Sequence, residues 1–541
     1  MNMPEEEEGV SWIIKTADAI EQRYPKGKLI LNGGLSVRGP QHIGRLRGEV
    51  FIQANIAEVL RRRGRKVSQC IILYNDDAMK PTGLANAFPN DPEKQRKFAG
   101  MRLFDLPDPV GSCHPGWVDH FWEDFGGYID QFGVSPEIVK THDFYQMAET
   151  KRWVGEILER RAEVRELANV YRERKPWPED WIPLNPLCTN CGSIAHTKTT
   201  DYNLKTRTVS FTCSKCGASG ESPMAEGKLW WRLEWPLMWK VLGISFEAYG
   251  KDHAAAGGSR ESCAYFYTNF FKEEPPMGFP YEWVSLKVKG KDLGEMSASE
   301  FVGITPKEWL RIAPAEVLRY RYARTRPSAG IALDLDNLHV MVDEYLRSQR
   351  IVTGKEAPRT DKELANLKDL FGIINPEMEL LPDIPYAFAA TLGQVYPLAT
   401  NFDVVRAALM RTGHMTGQET EEQLRGIKKY LGQATTWALE YAPESIRLRV
   451  LTAIDPELRA RIKPEERAFL HDVGGRLKDA GVNSKTVDTA IREAAAHHGL
   501  DAKKAYALIY MPLLGRDSGP RAAMFLPALG EKFVVERLLS I

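Results

Sequence analysis

Two groups of residues in this chain have the types and spacing to do chemistry. The first lies in "LILNGGLSVRGPQHIGRLRGEVF", Leu29 to Phe51, where an apolar run ends in paired glycines and a Gly-Pro turn leads to His42. In open α/β sheets ligands sit beyond the carboxyl ends of strands, where helix N-termini aim amide hydrogens at anions. Gly33, Gly34 and Gly39 would let a phosphate-bearing ligand come close to the backbone, and Gly44 would let a flat base lie against the first helical turn. His42 could donate to phosphate oxygens as charge builds on them. A plain glycine-rich turn with a capping histidine fits the same local pattern.

The second group is "CTNCGS…FTCSKCG", with Cys188, Cys191, Cys213 and Cys216 in two CxxC pairs. Tetrahedral zinc takes four soft ligands, and each CxxC knuckle supplies two from one tight turn. A four-thiolate site is closed, so structural Zn2+ and no chemistry are expected there. The flanks lack a basic recognition helix, which argues against DNA as a partner. Cys70, Cys113 and Cys263 stand apart and read as buried structural thiols.

The elements that must position these groups follow from periodicity. Residues 9 to 25 have helical spacing, and "KLILNGG" and "KVSQCIILYNDD" read as buried strands with the amphipathic "HIGRLRGEVFIQANIAEVLRRRG" between them. That order makes a parallel sheet the default. "SPEIVKTHDFY" reads as a further strand and turn, and "AETKRWVGEILERRAEVRELANVYRER" as one long charged helix. From about Lys307 helical patterns dominate, including a buried helix in "YAFAATLGQVYPLAT", which is too short and proline-broken to span a bilayer. The 541 residues have room for several domains. Their formal net charge of zero confines any nucleic-acid surface to a local patch. "MNMPEEEEG" is acidic where a signal peptide is basic and then apolar, so a cytoplasmic location is expected.

The histidine stretch resembles the "HIGH" element of class I aminoacyl-tRNA synthetases. "KLWWRLEWPLMWKVLGISFEAYGKDHAAAGGS" looks very like the corresponding segment of the class I lysyl-tRNA synthetases. The blocks "GSCHPGWVDHFWEDF", "VLRYRYARTRPSAGIALDLD" and "GPRAAMFLPALGEKFVVERL" follow that family's order, so the resemblance spans almost the whole chain. It implies activation of L-lysine by ATP, supplied with Mg2+, to lysyl-adenylate, and transfer to tRNA(Lys), with no membrane partner. The implied fold is a Rossmann-like α/β catalytic domain with a zinc-bearing insertion, followed by an all-α anticodon-binding half. The expected divisions are 1–150 and 228–290 for the two catalytic halves and 151–227 for the insertion. Residues 291–335 carry a mobile loop and stem contacts, and 336–541 the helical domain.

Matched position by position, Gly34, Ser36, Trp231 and His253 fall where the family forms its lysine pocket, and Asp76 or Asp77 could supply a carboxylate for the ammonium. Gly39, His42, Gly44, Lys251, Asp252 and Gly257 fall near ATP. The family's "KMSKS"-like loop is matched by "EMSAS", giving Met296, Ser297 and Ser299, but Glu295 replaces its first lysine and Glu300 its second. Arg45 stands where the family has histidine or asparagine. The two departures could be linked: Arg45 could carry lost phosphate contacts, or pair with Glu295 and hold the loop shut. They also leave open a synthetase-like paralogue with impaired or redirected activity. "RYRYARTRP" and "LRGIKKY" are plausible basic contacts to RNA.

Overall fold

The computed structural model describes residues 11–541. The acidic N-terminal stretch that argues against a signal peptide lies outside the described residues. Strands β1 (Leu29–Leu35), β2 (Val67–Leu73) and β3 (Glu137–Lys140) and the short strand Phe246–Glu247 form one sheet. The order is β3-β2-β1 and then Phe246–Glu247, and every pairing is parallel, as the strand-helix-strand pattern requires.

Side-chain alternation sends each strand into two cores. Ile71 and Leu73 of β2 pack with the helices Ser11–Arg23 and Ile52–Arg62, while Cys70 and Ile72 pack with Leu233, Trp235 and Phe266 on the opposite face. Burying each such aliphatic side chain contributes about 1.5–3 kcal/mol.

The crossover from β1 to β2 widens into a π-helical turn at Leu46–Phe51. Two glycines make this possible. A Cβ on Gly33 would lie 2.0 Å from the Glu49 carbonyl oxygen, and one on Gly48 would lie 2.0 Å from the Tyr281 ring. Helix, strand and tyrosine therefore meet at backbone distance. Next to them the buried Arg47 guanidinium donates to the carbonyls of Glu282, Arg326 and Ala329 at 2.7, 3.0 and 2.6 Å. It ties the crossover to a second sheet, in which Val284–Val288 pairs parallel with Ile331–Asp334 and antiparallel with Lys291–Glu295.

The strand Ile331–Asp334 is an interruption in the predominantly helical region from about Lys307 that the periodicity did not single out. Its Ile331 and Leu333 are buried and Ala332 is exposed, a period of two within a helical neighbourhood. The long charged helix is also two helices, Ala148–Glu159 and Arg161–Asn169, divided at Arg160. The cysteine segment folds as an antiparallel sheet of Thr197–Asn203, Thr208–Cys213 and Ser219–Pro223. From Leu338 onward the described residues form helices, with the expected buried helix at Tyr386–Val395 and a separate core over Ile462–Ile541. No described helix is long and apolar enough to cross a membrane.

Gly48→Ala should lower the thermal unfolding midpoint, because the added methyl must displace a packed ring at a cost of about 1–3 kcal/mol. Gly475→Ala, in the helix Pro464–Ala480 with no atom within 4 Å of its Cβ, should be neutral or stabilising. Calorimetry of the two variants checks the contrast.

Candidate active site

A cavity of about 490 Å³ opens beyond the carboxyl ends of β1 and β2. Gly34, Ser36, His42, Gly44, Arg45, Trp231, Asp252, His253 and Met296 line it, together with Glu49, Asp77 and Tyr281. The other residues singled out from sequence lie around it. A Cβ on Gly39 would meet the Ala298 carbonyl oxygen at 2.3 Å, so Gly39 serves the contact with the loop. Gly257 faces outward, its carbonyl accepting from Arg232 at 3.3 Å. Ser297 exchanges backbone hydrogen bonds with Val302 at 2.8 and 3.0 Å, and its hydroxyl lies 3.4 Å from that of Ser299. That turn packs on the histidine motif through the Ile43 amide, which donates to the Ile304 carbonyl at 2.8 Å.

Burial, reinforced by Arg45, pushes the His42 imidazole down to about 3. It is therefore neutral at physiological pH and available as a hydrogen-bond donor rather than as a cation. Its Nδ1 is buried without a partner, which suits a ligand contact. Burial also lowers His253.

The acidic groups divide by their partners. Asp76 turns away from the cavity toward Arg102 and His142, at 3.6 and 3.7 Å. Asp77 faces the cavity, with Arg38 at 2.7 Å and Lys228 at 3.2 Å. Burial pushes the Asp77 carboxyl up, but Lys228 and Arg38 outweigh it and hold it below the usual range. Glu49 is different. Burial raises it, and Arg45 at 3.5 Å is its nearest cation. Its other partners are neutral donors, the Tyr281 hydroxyl at 2.6 Å and the Gly34 amide at 3.1 Å. A desolvated carboxylate with so little countercharge would be stabilised by a further cation. The sequence reading missed Glu49, because a glutamate in "RGEVF" looks like any helix residue. The signal was the preceding glycine at 48.

Trp231 forms one wall, stacked on Trp235 at 5.1 Å and edge-on to Tyr74 at 5.3 Å. Trp235 and Trp239 in turn donate indole N–H bonds to the buried Glu247 carboxylate at 3.0 and 2.6 Å, and Asn32 of β1 donates at 2.8 Å. Burial pushes Glu247 up to about 7, against the opposing pull of Arg260 and of the Trp239 and Trp235 indoles. The tryptophan-rich block is thus keyed to the sheet by one acid, and Trp231 inherits that placement.

The expected pairing of Arg45 with Glu295 is not formed. Arg45 takes its own helix neighbour Glu49, four residues on, and Glu295 lies 2.9 Å from Lys251 at the cavity mouth. Glu300 is exposed. "RYRYARTRP" is also less available than its charge suggests, since Arg319, Tyr320 and Tyr322 are buried. In "LRGIKKY", by contrast, Arg425, Lys428 and Lys429 are exposed on one helix.

Among the described residues three sets of side chains could hold a metal ion; Asp472, His497 and His498 offer three donors, and the other two sets offer four. The sulfurs of Cys188 and Cys216 lie 3.6 Å apart and those of Cys191 and Cys213 3.7 Å, matching the ~3.8 Å edge of a tetrahedron with ~2.3 Å zinc–sulfur bonds. The other four-donor set overturns the reading of Cys113 as a buried thiol. Cys113 is exposed, and its Sγ lies 3.0 Å from Asp108, 3.1 Å from His114 and 3.3 Å from His120. All four donor atoms fall within 4.8 Å of one another, a mixed set that suits a tetrahedral cation.

A parallel sheet with glycines, a neutral imidazole and a polar cavity at its carboxyl edge defines a nucleotide-binding enzyme of the α/β class. Residues 10–374 match the family model of the tRNA synthetases class I (K), and the chain belongs to that family. A lysine–tRNA ligase of Aeropyrum pernix is 37% identical over 98% of this chain and 97% of its own length. Lysine–tRNA ligases of Methanosarcina barkeri strain Fusaro and Methanocaldococcus jannaschii are 31% and 28% identical, each over 97% of this chain and over 97% and 99% of their own.

Elemental analysis of the purified protein should find one zinc for each of the two four-donor sets. Cys213→Ser should remove the ion held by the four thiolates and lower the unfolding midpoint. His120→Ala should remove only the other.

Proposed function

We propose that this chain is a cytoplasmic lysine–tRNA ligase, activating L-lysine with MgATP to lysyl-adenylate and transferring the lysyl group to tRNA(Lys). The observation that carries the reading is that buried Glu49 and Trp231 line the same cavity. That cavity lies at the end of β1, within a chain whose relatives over almost its full length are lysine–tRNA ligases.

In this reading the ε-ammonium of lysine meets Glu49 and its four-carbon stem lies along Trp231. Gly34, Ser36 and His253 hold the α-amino and carboxylate end. The adenine rests against Gly44, and His42, kept neutral, donates to the α-phosphate where negative charge accumulates. Asp252 and Lys251 face the nucleotide from the other wall, and Met296, Ser297 and Ser299 close over it from the loop. Asp77 acts indirectly, holding Arg38 and Lys228 at the pocket rim.

The four cysteines hold a structural zinc that stiffens the insertion, which steadies the acceptor end of the tRNA. The helical half takes the anticodon, with the exposed face of Arg425, Lys428 and Lys429 as a phosphate contact. The altered loop motivates the second reading, a paralogue with a weakened or redirected activation step. The complete cavity and the full-length likeness to ligases weigh against it.

Lysine-dependent ATP–pyrophosphate exchange followed by charging of tRNA(Lys) tests the reading, and both should be observed. Trp231→Ala should raise the KM for lysine at least tenfold, about 1.4 kcal/mol of lost binding, with a much smaller change in the KM for ATP. Absence of exchange with lysine in the wild-type protein would sink the assignment.

A further inference from the structure

Lys251 sits at the cavity mouth between Gly250 and Asp252, both of which line the cavity. Its ammonium is shared by two carboxylates, Glu282 Oε2 and Glu295 Oε1, each at 2.9 Å. They come from different segments. Glu282 lines the cavity just before the strand Val284–Val288, held by the Arg47 contact to its carbonyl. Glu295 ends the strand Lys291–Glu295, every residue of which is exposed.

The hairpin that carries Glu295 is irregular, although Asp336 holds its turn through the Lys289 and Gly290 amides at 2.6 Å. Lys289, Gly290 and Gly294 all have positive φ, and the ladder shifts register between Ser285 and Lys287. Gly294 immediately precedes Glu295, so a small backbone rotation there swings the carboxylate without disturbing Glu282.

Of the other cations lining the cavity, Arg38 pairs with Asp77 at 2.7 Å and Arg45 with Glu49 at 3.5 Å, and Lys80 is exposed. One ammonium against two carboxylates leaves a net negative group at the mouth. A polyphosphate arriving there is repelled unless the ammonium changes partners.

We propose that Lys251 does this, and that it is the catalytic cation for the departing pyrophosphate. The inference rests on the lysine-activating reading of the cavity. Before ATP arrives, Lys251 bridges Glu282 and Glu295. When ATP binds, its ammonium moves to the β- and γ-phosphate oxygens and Glu295 swings outward on the Gly294 hinge. A lysine carboxylate oxygen then forms a bond to the α-phosphorus as the bond to the bridging oxygen of the β-phosphate breaks. The electron pair leaves with pyrophosphate, where Lys251 compensates the added charge, and no proton is transferred. The loop thus contributes a carboxylate that parks the cation when no nucleotide is present, and the cation comes from the opposite wall.

The test is lysine-dependent ATP–pyrophosphate exchange in Lys251→Met and in the double variant Lys251→Met/Glu295→Lys, with lysine binding and thermal unfolding measured alongside. Lys251→Met should lower the exchange kcat about a hundredfold and leave the KM for lysine within about twofold. Moving the positive charge to residue 295 in the double variant should recover at least tenfold of the loss. Lys251→Met retaining half or more of wild-type exchange would overturn the proposal, and so would a double variant no better than the single one. Either result with active wild-type protein leaves the ligase reading standing, whereas inactive wild-type protein would remove that reading itself.

Discussion

The arrangement of this site depends on keeping the Glu49 carboxylate out of water beside a strand end. Removing an ionised carboxylate from solvent without a matched counterion costs several kcal/mol, and here it is offset by one amide, one phenol and a guanidinium at the edge of contact. That arrangement dictates its surroundings. Gly33 and Gly48 lack side chains because Glu49 and Tyr281 occupy the space, and the helix widens by a π turn where it passes them. Arg47 fixes the segment just after Tyr281 through main-chain carbonyls, so the phenol that supports Glu49 is itself held. A ligand ammonium would complete the charge balance that the protein leaves unfinished.

The electrostatics of the inner wall and of the mouth differ in kind. Inside, charges are buried and committed: Asp77 with Lys228 and Arg38, and Glu247 under three N–H donors. At the mouth, Lys251, Glu282 and Glu295 are all partly exposed, so their pairing is screened and exchangeable. Fixed charges define which molecule fits, and exchangeable ones are available to a substrate whose charge changes during reaction. The contact from Ile304 to Ile43 joins the two regions, since it ties the loop to the first turn beyond His42.

Much of the frame was legible in the sequence because apolar periodicity and glycine placement determine it. β1, β2 and the parallel pairing followed from two buried runs flanking an amphipathic helix, and the cysteine knuckles declared their geometry by spacing alone. What escaped notice has a common cause: burial of a polar group leaves no periodic trace. Glu49 reads as solvent-facing until Gly48 is seen to admit a ring. Asp76 and Asp77 are indistinguishable in "YNDD", yet Thr141 and Arg102 claim the neighbourhood of the first and the cavity takes the second. Asp108, Cys113, His114 and His120 follow no knuckle spacing, so a folded loop was needed to gather them. Arg45 finds a partner four residues along its own helix, and that local option competes with the long-range pairing to Glu295.

The central claim is that a buried carboxylate selects the amino acid by its ammonium. Calorimetric titration of lysine, and of norleucine, which keeps the four-carbon stem but lacks the ammonium, into wild-type and Glu49→Gln protein tests it most directly. The account predicts that the substitution weakens lysine at least tenfold and abolishes the preference for lysine over norleucine. Lysine binding unchanged by the substitution, with the preference intact, would contradict it.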